Sequence, residues 1–245
     1  MEDKAVLSTE VASGAEKAEL LIVIPAYNEA ENIERVVNHL TANFPQYDYV
    51  VVNDGSRDET AAICQRNGYN LLNLPVNLGL AGAFQAGLKY ADKYGYQYAV
   101  QLDGDGQHRP EYLESMIKKM EEGYDIVIGS RFVGEKKPFT MRMLGSNLIE
   151  MAIRFTTGVN IKDPTSGMRM FSKRMIREFA SGLNYGPEPD TVSYLIRQGA
   201  RVAEVPVIMD ERILGVSYLT PVNAMRYMLK MLISILLIQN FRKRR

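Results

Sequence analysis

Tyr98-Ala99-Val100-Gln101-Leu102-Asp103-Gly104-Asp105-Gly106-Gln107-His108 is the stretch on which the reading of this chain turns. An apolar run of strand character ends in two carboxylates set one glycine apart. A strand that runs into a glycine-rich turn leaves both side chains at the carboxyl edge of a sheet, where open α/β sheets bind ligands. Asp-X-Asp presents hard oxygens to Mg²⁺ or Mn²⁺, ions that favour one or two carboxylates completed by substrate phosphates. The glycines leave space for a diphosphate to approach the backbone. A solvated acidic turn uses the same residues, so the surroundings decide.

Outward from this stretch, short apolar runs alternate with longer segments of helical period, the pattern of βαβ units on a mostly parallel sheet flanked by helices. Strands are expected at 20–24, 49–52, 71–74, 98–102, 126–128, 168–171 and 202–207. Helices are expected at 29–40, 58–66, 81–94, 110–122, 142–157 and 190–198. Pro110 suits a first helical turn because its missing N–H has no partner there anyway. The fold class is therefore α/β.

The 245 residues are 46% hydrophobic and 24% charged, enough apolar material for a sizeable core. Formal net charge is zero, so no global field attracts nucleic acid and none is expected as a partner. From Ile213 onward there is no Asp or Glu, whereas Arg226, Lys230, Arg242, Lys243, Arg244 and Arg245 are basic. The single cysteine, Cys64, allows no internal disulfide and fits a reducing compartment. Residues 1–18 carry neither signal- nor transit-peptide character and read as a flexible tail. Residues 19–218 read as one domain and 219–245 as a C-terminal helix with a basic tail.

Further motifs stand in a fixed order. Val23-Ile24-Pro25-Ala26-Tyr27-Asn28-Glu29, Val52-Asn53-Asp54-Gly55-Ser56, Asn77-Leu78-Gly79 and the 103–108 segment resemble family 2 glycosyltransferases. Gly129-Ser130-Arg131-Phe132, Asp163-Pro164-Thr165-Ser166-Gly167-Met168-Arg169 and Glu204-Val205-Pro206-Val207 resemble the polyprenyl-phosphate branch, typified by dolichol-phosphate mannosyltransferase. The resemblance covers roughly residues 20–235. It implies a GT-A fold, the Rossmann-like architecture of nucleotide-diphosphosugar transferases. It also implies a divalent cation, Mg²⁺ or Mn²⁺, and transfer from a UDP- or GDP-linked sugar with inversion.

By the same resemblance, Asp103, Asp105 and Gln107 match the metal and diphosphate positions, with Gly104 beside them. Asp54 matches a contact to base or ribose, while as a residue it also suits an Asx-turn or a helix cap. Pro25, Tyr27, Glu29 and Gly79 lie on loops that line the same nucleotide pocket. His108 either contacts the diphosphate or hydrogen-bonds its own loop. Arg131, Arg142 and Ser146 match contacts to a lipid phosphate; Arg142 and Ser146 stand at i and i+4 and share a helix face. A guanidinium fork with a nearby hydroxyl suits a phosphate monoester. Arg212, in a loop with Gly215, resembles an arginine that clamps the donor diphosphate when the loop closes.

A sugar hydroxyl acceptor needs a base because its proton leaves as the bond forms. A phosphate monoester, with a second pKa of about 6, is already anionic. Asp163 is the first candidate for a base, with Glu188 and Asp190 behind it, and Asp163 before Pro164 is equally a turn former.

Residues 221–240 place Met225, Met228, Leu229, Leu232, Ile235 and Leu236 on one face. That face either packs on a core or lies at an anionic membrane surface. Lys230 cuts the apolar run short of the roughly 20 residues a span requires.

The function expected is transfer of a hexose from a nucleotide sugar to polyprenyl phosphate by a protein peripheral to the cytoplasmic membrane face, alone or with a membrane-protein partner. Alternatives are transfer to a cell-wall or capsular saccharide hydroxyl, nucleotidyl transfer, and a non-catalytic membrane adaptor.

Overall fold

β1 (Leu20–Ala26) is buried along its whole length, as its unbroken Leu/Ile/Val content demands of a strand covered on both faces. A computed structural model of the chain describes residues 18–135, 137, 138, 140–181, 186, 188–210 and 221–241; the side chains of 141, 142, 221–223 and 240 lie outside the description. Elements are numbered in chain order. Two compact units emerge, one from Met1–Glu111, Met170–Gly186 and Met209–Gly215, the other from Tyr112–Arg169, Pro187–Ile208 and Val216–Arg245.

In the first unit β1 pairs in parallel with β2 (Asp48–Asn53) on one side and β4 (Tyr98–Gln101) on the other. β3 (Leu71–Asn73) adds in parallel to β2, and β6 (Arg169–Ser172) runs antiparallel to β4. Ala26 is level with Asn53, and Val23 with Gln101, so β1, β2 and β4 all end toward one edge. Helices α1 (Ile33–Asn43), α2 (Thr60–Arg66), α3 (Gly79–Tyr94) and α6 (Lys173–Ser181) belong to this unit. Phe84 of α3, Phe171 of β6 and Phe179 of α6 form a buried aromatic cluster with ring centroids 5.6 and 5.3 Å apart. Burial pushes the Cys64 thiol up to about 11, so it is an inert core residue.

The second unit pairs β5 (Ile126–Ser130) in parallel with β7 (Val202–Pro206). With them stand α4 (Leu113–Glu121), α5 (Met141–Thr157), α7 (Pro189–Arg197) and α8 (Pro221–Leu236), which packs along α5 and α7. Thr140 starts α5 by accepting a hydrogen bond from the Met143 amide, satisfying one orphan donor of the first turn.

Several elements differ from expectation, α2 beginning at Thr60 rather than 58 and α3 at Gly79 rather than 81. α1 begins at Ile33 rather than 29, because residues 29–32 form a turn fastened by side chains (below). A 3₁₀ turn at Pro110–Tyr112 precedes α4. α6 was not foreseen: it follows β6 directly, and Ser172, a residue type suited to an N-cap, is the one local sign of its start.

Candidate active site

The first cluster lies where β1, β2 and β4 end. Asn28 adopts φ 55°, the left-handed region, and its amide donates to Ser56 Oγ while its side-chain oxygen accepts from the Arg57 amide. Thr60 Oγ1 accepts from the Glu29 amide, Asp58 Oδ2 from the Ala30 amide, and Glu29 Oε2 from Asn32 Nδ2. The loop after β1 is thereby stitched to the start of α2. Pro25 is buried in β1 and Tyr27 is half-buried just beyond it.

Asp54 is 3% exposed, and its Oδ1 accepts from the Leu78 amide at 2.7 Å. It holds the 76–78 loop that leads into α3 at Gly79. Gly55 makes this approach possible: its φ is +64°, and a Cβ there would lie 2.7 Å from Asn77 N. Asp54 therefore caps neither helix; it fastens the loop that precedes α3.

Asp103 is fixed from three directions. Gln101 Nε2 donates to its Oδ1 at 2.9 Å, the Asp103 amide donates to His108 Nδ1 at 3.0 Å, and His108 Nε2 stands 3.5 Å from its Oδ2. His108, 7% exposed, thus makes the loop hydrogen bond, which places a neutral ring's proton on Nε2. Asp105 is 5% exposed; its Oδ1 accepts from the Gln107 amide, and its carbonyl accepts from Arg35 Nη2. Gln107 directs its Nε2 at the Asp210 carbonyl, and Arg109 pairs with the Asp210 carboxylate, whose pKa that hydrogen bond holds down. Arg212 and Gly215 lie outside the described residues.

This donor set fits a hard divalent cation. Two carboxylates stand one glycine apart, one of them oriented by a buried amide, as ligands are by their supporting shell. A Cβ on Gly104 would come 3.1 Å from the Pro25 carbonyl and 3.5 Å from Glu29 Cγ, so the loop is cradled by the β1 turn. Among the described residues no three His, Cys, Asp or Glu side chains form a cage. An ion held by these carboxylates would need further ligands from substrate and water.

The second cluster, in the other unit, brings together two residues read separately from sequence. Arg131 Nε and Nη2 donate to Asp163 Oδ2 and Oδ1 at 2.7 and 2.8 Å, a bidentate fork. The Arg131 amide and Thr165 Oγ1 add to the same carboxylate, which is fully buried. Glu204 accepts from the Lys162 and Asp163 amides, fixing the turn. Lys137, not singled out from sequence, reaches the Phe132 ring at 5.5 Å and Arg131 reaches it at 5.2 Å; Lys137 also pairs with Glu150 at 2.7 Å. Ser146 is fully buried, and among the described residues its Oγ has no partner. The Arg142 side chain lies outside the description.

Arg169 is 4% exposed and donates to the Pro164 carbonyl, so it braces the Asp163 turn. Burial pushes its guanidinium below the ordinary value, opposed by Glu188, Tyr227, Asp163 and Asp190. Tyr227 of α8 donates to Glu188, and Ser234 of α8 donates to Asp190 at 2.6 Å. Arg35, Lys137 and Tyr227 were not singled out from the sequence, and Gln101 and Arg169, quoted within motifs, were given no role of their own. Only Gln101 left a signal, a polar residue inside an otherwise apolar strand.

A parallel sheet whose strand-end loop carries this acidic pair is the architecture of a GT-A nucleotide-sugar transferase. Solved glucosyl-3-phosphoglycerate synthase from Mycobacterium tuberculosis, in complex with Mn²⁺ and UDP-glucose, matches the fold with TM-score 0.65 at 18% identity, covering 88% of this chain and 78% of that one. The sequence model of glycosyl transferase family 2 matches residues 21–179. Polyprenol monophosphomannose synthase of Mycolicibacterium smegmatis is 32% identical over 223 residues, 86% of this chain and 84% of that protein. Undecaprenyl-phosphate mannosyltransferase of Micrococcus luteus is 31% identical over 210 residues, 81% and 86% of the two. The chain belongs to glycosyl transferase family 2.

Proposed function

We propose that this enzyme transfers a hexose from a UDP- or GDP-linked sugar to polyprenyl phosphate, with inversion, at the cytoplasmic face of a membrane. The observation that carries the reading is the state of Asp163. Its carboxylate accepts from Arg131 three times and from Thr165 once, inside a fully buried site. Oxygens so occupied by donors are not free to take a proton from an acceptor, and a phosphate acceptor, already anionic, needs no base. The names of the two relatives, both polyprenyl-phosphate mannosyl enzymes, support the same acceptor.

On the donor side Asp103 and Asp105, with Gln107 beside them, would hold Mg²⁺ or Mn²⁺. The ion supplies charge neutralisation for the leaving diphosphate. Asp54, Tyr27 and Glu29 line the nucleotide side, and Arg212 serves the diphosphate. On the acceptor side Arg131, Arg142 and Ser146 receive the lipid phosphate, and Lys137 joins them as a further cation. Arg131 is held rigid by Asp163, which pre-orients its remaining N–H groups and limits the entropy lost on binding. Ser146 faces no solvent in this structure, so its hydroxyl serves the phosphate only after the start of α5 shifts.

The test is a transfer assay with radiolabelled GDP-mannose and UDP-glucose, with Mn²⁺ or Mg²⁺, offering polyprenyl phosphate and a soluble oligosaccharide in parallel. Label entering the lipid phase, abolished by chelator, is the expected result. Preferential labelling of the saccharide refutes the acceptor, and nucleotide release insensitive to chelator refutes the metal.

A further inference from the structure

Gln107 is held at both backbone polar groups and by its side chain. Its amide donates to Asp105 Oδ1 at 3.0 Å, and its carbonyl accepts from the Asp210 amide at 3.0 Å. Its side-chain Nε2 donates to the Asp210 carbonyl at 3.1 Å. Arg109, two residues on, completes the clasp: its Nε donates to Asp210 Oδ1 at 2.8 Å, and its Nη2 reaches the same oxygen. Four hydrogen bonds thus join one residue, Asp210, to Gln107 and Arg109, all within the first unit.

The clasp adds little to folding. The Arg109 and Asp210 side chains are 39 and 44% exposed, and ion pairs so open to water contribute little to stability. What it fixes is the direction of an amide. A primary amide carries its donor nitrogen and its acceptor oxygen on one planar carbon, so committing one end commits the other. Against the Asp210 carbonyl only the Nε2 end is favourable; turned over, the group would set oxygen against oxygen. Oε1 is the end left over, and among the described residues nothing donates to it. A further hard oxygen is what a divalent cation needs beyond the carboxylates of Asp103 and Asp105.

We infer that Arg109 and Asp210 are positioning residues, holding the Gln107 amide with Oε1 available as a third protein ligand for that cation. This role rests on the cation proposed above for Asp103 and Asp105. Supporting groups of this kind are worth about 10- to 100-fold in metal affinity. Neither residue would touch the ion, and the sign of their effects separates the role from charge acting through space. By charge alone, removing Arg109 from the neighbourhood of a dication tightens binding, and removing the Asp210 carboxylate weakens it. Acting through Gln107, both removals weaken it.

Mn²⁺ titration of the full chain, with UDP or GDP present and free ion followed by electron paramagnetic resonance, tests this. Arg109→Ala and Asp210→Ala should each weaken Mn²⁺ binding about tenfold, and the double variant no more than either alone. Asp210→Asn, a milder change that keeps an oxygen for Arg109, should fall between the parent and Asp210→Ala. Gln107→Ala should weaken binding at least as much, and adding Arg109→Ala to it should change nothing further. Thermal midpoints without ligand verify that each variant is folded. Unchanged affinity in both alanine variants overturns the positioning role, and so do effects of opposite sign, which would mean charge alone. A further loss from Arg109→Ala in the Gln107→Ala background overturns it too. Absence of Mn²⁺ binding by the wild type refutes the cation itself, and the positioning role with it.

Discussion

Asp103 and Asp163 are the same residue in opposite employment. Asp103 is half-buried at the end of β4 and receives one amide hydrogen bond from Gln101, with His108 nearby. Its remaining capacity faces outward. Asp163 is fully buried and its oxygens are occupied by Arg131 and Thr165. The first arrangement suits a ligand for an exchangeable cation; the second suits an internal strut that aims an arginine. Residue type does not separate a reactive carboxylate from a structural one. The count of donors already on it does.

The largest effect expected is on the first carboxylate. Asp103→Asn combined with Asp105→Asn should lower turnover by at least about 10³-fold, the order lost when charge stabilisation at a transition state is removed. The thermal unfolding midpoint without ligand should barely move, and the metal-dependent shift with nucleotide should vanish. A variant that unfolds instead would show that these carboxylates, like Asp163, are struts.

Asp163→Asn should invert that pattern. Breaking a buried pair leaves Arg131 uncompensated, a loss of about 3–5 kcal/mol measurable by urea denaturation. Where enough folded protein remains, the pH profile of transfer should keep its shape. A stable Asp163→Asn enzyme with abolished turnover and a lost titration limb would make Asp163 a base after all. The acceptor would then be a hydroxyl.

How far the chain itself disclosed this contrast follows from how local each signal is. The β1, β2 and β4 ends were legible because a buried parallel strand is a continuous apolar run stopped by Asn, Asp and Gly. The acidic pair is contiguous and was found for the same reason. Arg131 and Asp163 were each found, but not as partners, since they are 32 residues apart and pairing is a tertiary event. α8 was read as either core-packed or membrane-facing, and the structure uses both sides: Ile235 is buried, Met225 and Leu229 are open, Met228 and Leu232 lie between. Helical period alone cannot tell two apolar faces from one. The Arg169–Glu188–Tyr227 contacts left no pattern, because their geometry is set by how α7 and α8 pack.

A smaller effect sharpens what holds the open carboxylate open. Gln101→Leu removes the amide that aims Asp103 while keeping the strand's volume. Loss of a supporting hydrogen bond of this kind costs about 10-fold or more in metal affinity. Mn²⁺ titration of the nucleotide-dependent thermal shift should report it, and saturating Mn²⁺ should restore turnover. Failure of high metal to rescue would mean that Gln101 acts on something other than cation binding.

The smallest effect belongs to a third carboxylate, wholly structural yet exposed. Partial burial pushes the Asp58 carboxyl up, but hydrogen bonds from Thr60 Oγ1, the Thr60 amide and the Ala30 amide outweigh it and hold the group below its ordinary value. A depressed folded-state pKa means a contribution fully present above the unfolded value of about 3.9, and lost as pH falls through the folded one. Asp58→Asn should therefore be less stable than the parent at neutral pH, with the gap closing below about pH 4. Urea midpoints at stepped pH measure this, and a gap independent of pH would mean that the neutral side chain fastens the β1 turn as well as the charged one does. Asp58 would then act through shape and its donors rather than through charge, whereas the charge of Asp163 compensates Arg131 and that of Asp103 and Asp105 would serve the cation proposed above.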